Sequence, residues 1–308
     1  MESIDKAIVC LDFTETDFKL IAYADFFTHL IHIKEITFLH VLKKNDLPDE
    51  MNTIFQTEGQ SFNDFLLQKM RENVEKTIKT DEAEYDVKYV VLEGSPLEKI
   101  MKFSRSKNAD LVMVGRKKIT EGSGVILTRI ARRIHCSIMI VPEEAELFLD
   151  DILVCADFSE WSQKALNKAV EMATSTENPA VYCQHIFEVP TGYHAAGKSF
   201  AEFAQIMKKH ALKRYNDFIS SIDKKNITIA PILTLNKKKQ SSSSIIQDTA
   251  ASLGANIVIV GSKGRTFASS IFLGSFAEKL VRQEMNMPLM IVKGKDETMG
   301  VIKALQMI

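Results

Sequence analysis

Gly261-Ser262-Lys263-Gly264-Arg265 follows a run of Val and Ile, and nine residues after Gly264 comes Gly274-Ser275, a spacing of G-x2-G-x9-G-S. This spacing suits phosphate binding. Glycines at 261 and 264 are expected to let the backbone leave a strand with positive φ and approach a ligand with no Cβ in the way. Gly274-Ser275 is expected to open a helix whose unpaired N–H groups and positive dipole end favour an anion. The intervening residues let the loop leave and return. Lys263 and Arg265 add positive charge, and the Ser275 hydroxyl can donate to a phosphate oxygen. Two plainer accounts stay open: Gly261 can simply end a strand, and Ser275-Phe276-Ala277-Glu278 is itself a capping-box sequence that needs no ligand.

Positioning such a loop requires a sheet, and the chain encodes one twice. IVCLDFTE (8–15) returns as LVCADFSE (153–160), so Asp12, Phe13 and Glu15 recur 145 positions later as Asp157, Phe158 and Glu160, and His40 recurs as His185. ADLVMVG (109–115) returns as ANIVIVG (255–261), and Met139-Ile140-Val141 as Met290-Ile291-Val292. A period near 146 is too long for a solenoid unit and about right for a domain. The chain is therefore a tandem duplication, with domains 1–146 and 147–308 meeting in the polar stretch Pro142 to Glu146.

Within each copy, short Val/Ile/Leu-rich runs alternate with segments of helical spacing, the pattern of βαβ units and a parallel sheet. In copy two the expected strands are 152–156, 180–187, 227–235, 256–260 and 289–292. A helix is expected over 162–173, with Ala165, Leu166, Ala169, Val170 and Ala173 on one face. Ser95-Pro96-Leu97-Glu98 reads as a helix start with a capping box. Segments 45–59 and 190–198 read as surface loops. In an open parallel sheet, ligands sit beyond the C-terminal strand ends where strand order reverses. That singles out Ala156-Asp157-Phe158-Ser159 after the first strand of copy two and Gly261 to Arg265 after its fourth.

Composition narrows the function classes. The 308 residues carry 39 Lys plus Arg against 40 Asp plus Glu, a net charge of -1 without the basic excess of general nucleic-acid binders. No apolar run approaches the ~18 residues of a membrane span, and the acidic N-terminus does not resemble a secretion signal, so a soluble, cytoplasmic protein is expected. Four cysteines without a CxxC make no disulfide framework, and Cys10, Cys155 and Cys183 read as buried packing. His29 and His32 lack a third ligand at metal spacing. His40 and His185, at strand ends, read as structural hydrogen-bonders. Lys237 to Ser244 reads as an exposed loop leading into a helix, and Met299 to Ile308 as a packing helix or an association segment.

The motif G-x2-G-x9-G-[ST] after the fourth strand, DFSE after the first and a His-apolar pair closing the second resemble the universal stress protein family, over nearly the whole chain. The resemblance implies an α/β fold of two Rossmann-like domains, similar to the adenine nucleotide alpha hydrolases. Each would be a five-stranded parallel sheet of order 3-2-1-4-5 flanked by helices. It also implies ATP or AMP as ligand, in a family that includes members without the glycine motif. By position, Asp157 would face the adenosine moiety, with Phe158 and Ser159 beside it, and the Ile186 backbone beside His185 would hold adenine. Gly261, Ser262, Lys263, Gly264, Arg265, Gly274, Ser275 and Phe276 would hold ribose and phosphates. Asp157 is expected to meet phosphate only across a cation such as Mg2+, because two anions repel. Capping the following helix is its alternative role.

Copy one departs from the motif. A shift of 146 sets Gly115 under Gly261 but Lys118 under Gly264, Thr128 under Gly274 and Arg129 under Ser275. Weak or absent ATP binding is expected there. Arg116, Lys117, Lys118, Arg129, Arg132 and Arg133 form a basic group, either a solvated surface or a receiver of a smaller anion, and Gly122 and Gly124 suggest a mobile loop. With no GxxxxGK[ST], GxSxG or HExxH, binding without efficient turnover is expected. The alternatives are a ligand-independent interaction scaffold with unknown protein partners and a slow ATPase or autophosphorylating protein. Pairing of the two copies through their apolar fifth strands would cover both sheet edges, giving an intramolecular pseudo-dimer with or without further homo-oligomerisation.

Overall fold

A computed structural model of the chain describes residues 3–43, 61–80, 83–117, 124–237, 240–264 and 273–294. The expectations for 45–59, Lys118, Gly122, 238–239, Arg265 and 299–308 lie outside the described residues. The chain divides into two compact units, one ending at Leu147 and the other formed by Phe148–Gly294.

The first unit runs β1 (Lys6–Leu11), α1 (Thr16–Ile31), β2 (Glu35–Leu42), α2 (Phe62–Thr77), β3 (Asp86–Glu93), α3 (Pro96–Ser106), β4 (Leu111–Arg116), α4 (Gly124–Arg133) and β5 (Ser137–Pro142). Its strands lie in the order β3-β2-β1-β4-β5, all neighbours parallel. The second unit runs β6 (Asp151–Cys155), α5 (Glu160–Ala173), β7 (Ala180–Phe187), a 3-10 turn at Tyr193–Ala196, α6 (Phe200–Ser220), β8 (Ile229–Leu235), α7 (Ser242–Leu253), β9 (Ile257–Gly261), α8 (Ser275–Arg282) and β10 (Leu289–Val292). Its order is β8-β7-β6-β9-β10, again parallel. Both are α/β sheets of the doubly wound kind. In sheets wound this way, right-handed crossovers place the helices leading outward from the first strand on one face and those returning past it on the other.

Strands covered on both faces read as unbroken apolar runs. All of β9 and β10, with sequences IVIVG and LMIV, is buried. At strand starts, polar residues tie neighbouring strands together. Asp110 Oδ2 accepts from the N–H groups of Asp5 and Lys6 at 3.0 and 2.8 Å, and Asn256 Oδ1 accepts from Asp150 and Asp151 at 3.0 and 2.9 Å. One short acceptor before the fourth strand thus pins the first strand in each copy.

Helix α5 buries the predicted face of Ala165, Leu166, Ala169, Val170 and Ala173. It starts two residues before the predicted Ser162, because Ser159 caps it: the Ser159 Oγ accepts from Ser162 N–H at 3.2 Å. At α3 the expected N-cap Ser95 and Pro96 at the first turn are present, but the Ser95 side chain makes no capping bond, so the expected box does not form. No helix among the described residues is long and apolar enough to cross a membrane.

Candidate functional site

Strand order reverses between β6 and β9, and there the C-terminal ends of β6, β7 and β9 frame a cavity of about 340 Å3. Ala156 and Asp157 reach it from β6, His185 and Ile186 from β7, and Gly261, Ser262, Lys263 and Gly264 from β9. Gly274, Ser275 and Phe276 line it from the start of α8. The structure thus brings together residues more than a hundred positions apart. Arg265 lies outside the described residues. Phe158 and Ser159, also expected at the site, do not line the cavity.

The β6–α5 turn explains both absences. Phe158 takes a left-handed conformation, φ +65°, which costs an L-residue about 1 kcal/mol or more. Its ring turns away to pack on His185, with centroids 4.2 Å apart, and on Phe218 at 5.4 Å, beneath the Arg214 guanidinium at 5.0 Å. His185 Nδ1 lies 2.8 Å from the Ala156 carbonyl; since a carbonyl only accepts, Nδ1 carries the proton. Asp157 does not cap α5 in the expected manner. Its Oδ1 accepts from Ser159 N–H at 3.0 Å and from Ser162 Oγ at 2.7 Å, while its own N–H donates to Ser162 Oγ at 3.0 Å. The turn is therefore closed upon itself, with the Asp157 carboxylate at the cavity wall.

The glycines act by close approach, not by the positive φ expected at 261 and 264; neither has it. A Cβ on Gly261 would meet the Trp161 backbone carbon and oxygen at 2.6 Å, so α5 can cross the end of β9 only where no side chain exists. A Cβ on Gly264 would lie 2.9 Å from Asp157 Oδ2, and one on Gly274 3.3 Å from Ser262 O and Lys263 Cα. The loop closes through Gly274 N–H, which donates to Ser262 O at 2.8 Å. Gly274 is the N-cap of α8 and supplies no side-chain cap. The alternative capping box at Ser275 is not formed, since Ser275 is already inside the helix. The first N–H groups of α8 therefore face the cavity end of the loop as an anion-favouring cradle.

Lys263 Nζ lies 4.5 Å from the centre of the Trp161 ring, and Lys164 Nζ 4.6 Å from it. The cavity also has walls that sequence reasoning missed: Cys155, Ser162, Val260 and Ala277, Ser242 and Ile246 on α7, and Gln184. Only Gln184 left a signal, as a polar residue in the strand AVYCQHIF where copy one has Leu39. Burial raises the Cys155 thiol far above its ordinary range and Cys183 to about 12, as expected of packing cysteines.

The equivalent cavity of the first unit, about 360 Å3, keeps the frame and changes the chemistry. Phe13 again has positive φ, 61°, with its ring 4.6 Å from His40, whose Nδ1 bonds the Leu11 carbonyl at 2.9 Å. Lys117 Nζ sits 2.6 Å from Asp12 Oδ2. Asp17 replaces Ser162, its carboxylate accepting from Asp12 N–H at 3.1 Å and Phe13 N–H at 2.7 Å. Copy one does not align with copy two at a constant shift of 146 through this loop. Helix α4 starts at Gly124, and its face Leu127, Ile130, Ala131 matches Ala277, Leu280, Val281 of α8, so Gly124 stands where Gly274 stands and the loop is four residues shorter. Thr128 and Arg129 lie inside the helix, not at its start. Of the expected basic group, only Lys117 lines the cavity among the described residues; Arg116 is buried, and Arg129 and Arg133 are exposed.

Burial pushes the Asp17 carboxyl up to about 6, opposed by the two N–H bonds it accepts and reinforced by Asp12. The folded unit then holds that proton more firmly than the unfolded chain. Its stability should fall as pH rises from about 4 to about 6, with a cost on the order of 2–3 kcal/mol persisting above. Asp17→Asn is expected to remove this component. Urea denaturation of wild type and variant across that window should diverge with rising pH, and parallel curves would refute the assignment.

His29 lies 3.5 Å from Asp25 in a helical ion-pair geometry, and His32 ends α1 in a left-handed C-cap, φ 57°. A family model described as the universal stress protein family matches residues 3–142 and again 149–293. Among solved structures, a universal stress protein from Archaeoglobus fulgidus DSM 4304 is similar with 18% identity and a TM-score of 0.65, covering 94% of this chain and 98% of that one. A putative universal stress protein from Pseudomonas aeruginosa UCBPP-PA14 shows 13% identity and a TM-score of 0.62, covering 98% and 97%. No curated protein matches the chain.

Proposed function

The chain belongs to the universal stress protein family, and on that basis we propose that its second unit binds an adenine nucleotide, ATP or AMP, and acts as a nucleotide-governed regulator of a cytoplasmic stress response, with little or no turnover. One observation carries this: Asp157, the Gly261–Gly264 corner and the uncapped start of α8 converge on a single cavity at the strand-order reversal, where doubly wound sheets take ligands. The phosphates lie on the α8 N–H groups and the backbone at Gly264 and Gly274, whose missing Cβ atoms leave that approach open. Asp157 faces the adenosine side, and a Mg2+ brought with the nucleotide would offset its charge near phosphate. Occupancy that favours one conformation shifts the population toward it, the basis of a switch.

Trp161 is the chain's one tryptophan, and its ring lies 4.5 Å from Nζ of the cavity-lining Lys263, so its emission is a probe beside the site. Phosphate competes with the ring for the Lys263 ammonium, and ATP is expected to change Trp161 fluorescence saturably. Denaturing the purified protein should release an adenine nucleotide. Absence of binding by calorimetry at millimolar ATP, with nothing released on denaturation, would favour the ligand-independent scaffold.

A further inference from the structure

Gln184 is 1% exposed, in the middle of β7 and on the cavity wall. Its Nε2 donates to Thr234 Oγ1 at 3.0 Å and to Thr249 Oγ1 at 2.8 Å. The Thr249 hydroxyl spends its own proton on the Ile245 carbonyl at 2.9 Å and can only accept from Gln184, which fixes the orientation of the amide. Its Oε1 is then left as a buried acceptor with no hydrogen-bond partner among the described residues. Such a group is costly to bury unless a donor completes it. The fold does not require the amide, because copy one places Leu39 at the same strand position, on the wall of its own cavity.

We infer that Gln184 Oε1 accepts a hydrogen bond from the exocyclic amino group of the bound purine and so selects a 6-amino over a 6-oxo base. This rests on the nucleotide assignment above. Two strand spacings, roughly 10 Å, separate β7 from the glycine loop after β9, which puts Gln184 at the base end of a nucleotide whose phosphates lie on α8. The 6-amino group is the N–H donor of adenine. A 6-oxo purine offers a carbonyl at the same place, and two acceptors would then face each other.

The test is calorimetric titration of the full-length protein with ATP and with ITP, which carry identical phosphates and ribose. Wild type is expected to bind ATP at least about tenfold more tightly than ITP, the scale of one buried hydrogen bond made or lost. Gln184→Met keeps the side-chain bulk without the acceptor, and should bring the two affinities within about twofold of each other, chiefly by weakening ATP. Equal affinities in wild type, or a preference that persists in the Met variant, would overturn the inference while leaving the nucleotide site standing. Binding of neither nucleotide by wild type would overturn the site itself. The wild-type comparison needs no variant and decides the matter even if Gln184→Met does not fold.

Discussion

Replacing Gly264 with lysine is expected to weaken ATP binding by the second unit about a hundredfold or more, some 2.7 kcal/mol, with the fold retained. The first atom of the new side chain would lie 2.9 Å from Asp157 Oδ2, a flexible carboxylate tip that can give way, so the sheet need not move. The rest of the chain must enter the cavity. Copy one has Lys118 at this position, outside the described residues; its neighbour Lys117, the counterpart of Lys263, reaches the equivalent carboxylate, Asp12 Oδ2, at 2.6 Å, so a lysine chain beside this corner can occupy it. Gly264→Val separates bulk from charge and should lose affinity comparably, since both fill the backbone approach to phosphate. Calorimetry with a melting curve for each variant decides the outcome. Undiminished ATP affinity in both would mean that this corner does not border the nucleotide.

Gly261→Ala should be the more damaging to the fold. Its Cβ would be driven to 2.6 Å from the Trp161 backbone, so strand end and helix must separate, an overpacking cost of about 3 kcal/mol. For a unit of this size that lowers the melting temperature by roughly 6–12 °C. Gly115→Ala in the first unit provides the internal control. There the new Cβ would meet the Thr16 Cγ2 methyl at 3.0 Å, a side chain and not backbone, so neither strand nor helix need separate as far, and a smaller loss of about 1 kcal/mol is expected. Chemical denaturation of both variants checks the contrast. Equal losses would show that the α5–β9 contact is no tighter than its counterpart.

Much of the fold was legible because it is written in local patterns. The two DF-S/T turns, the repeated ADLV/ANIV strands and the apolar face of α5 each express a period or a type that one segment carries by itself. Where a pattern had a local competitor, inference failed. The Ser95 and Ser275 capping boxes are valid as strings, yet one forms no side-chain bond and the other begins a residue too late, after Gly274 has already taken the cap. The shift of 146 was carried across a loop whose length differs between copies, so Thr128 and Arg129 were set opposite the wrong residues, and Gly124, expected in a mobile loop, is instead the first residue of α4.

The candidate site divides the same way. Residue types and spacing alone determined the duplication and the parallel sheet, because hydrophobic period and chain connectivity restrict how such a sheet can be wound, while the strand order that brings the first and fourth strand ends together came with the family resemblance of the glycine motif. Only the tertiary structure decided why Gly261 must be glycine, that the Phe158 ring packs on His185, and that Gln184, a cavity-wall residue, buries an acceptor with no hydrogen-bond partner among the described residues. Each of these depends on what another segment, tens of residues away, presses against that atom, and no period or spacing along the chain records the distance between surfaces that packing alone brings together.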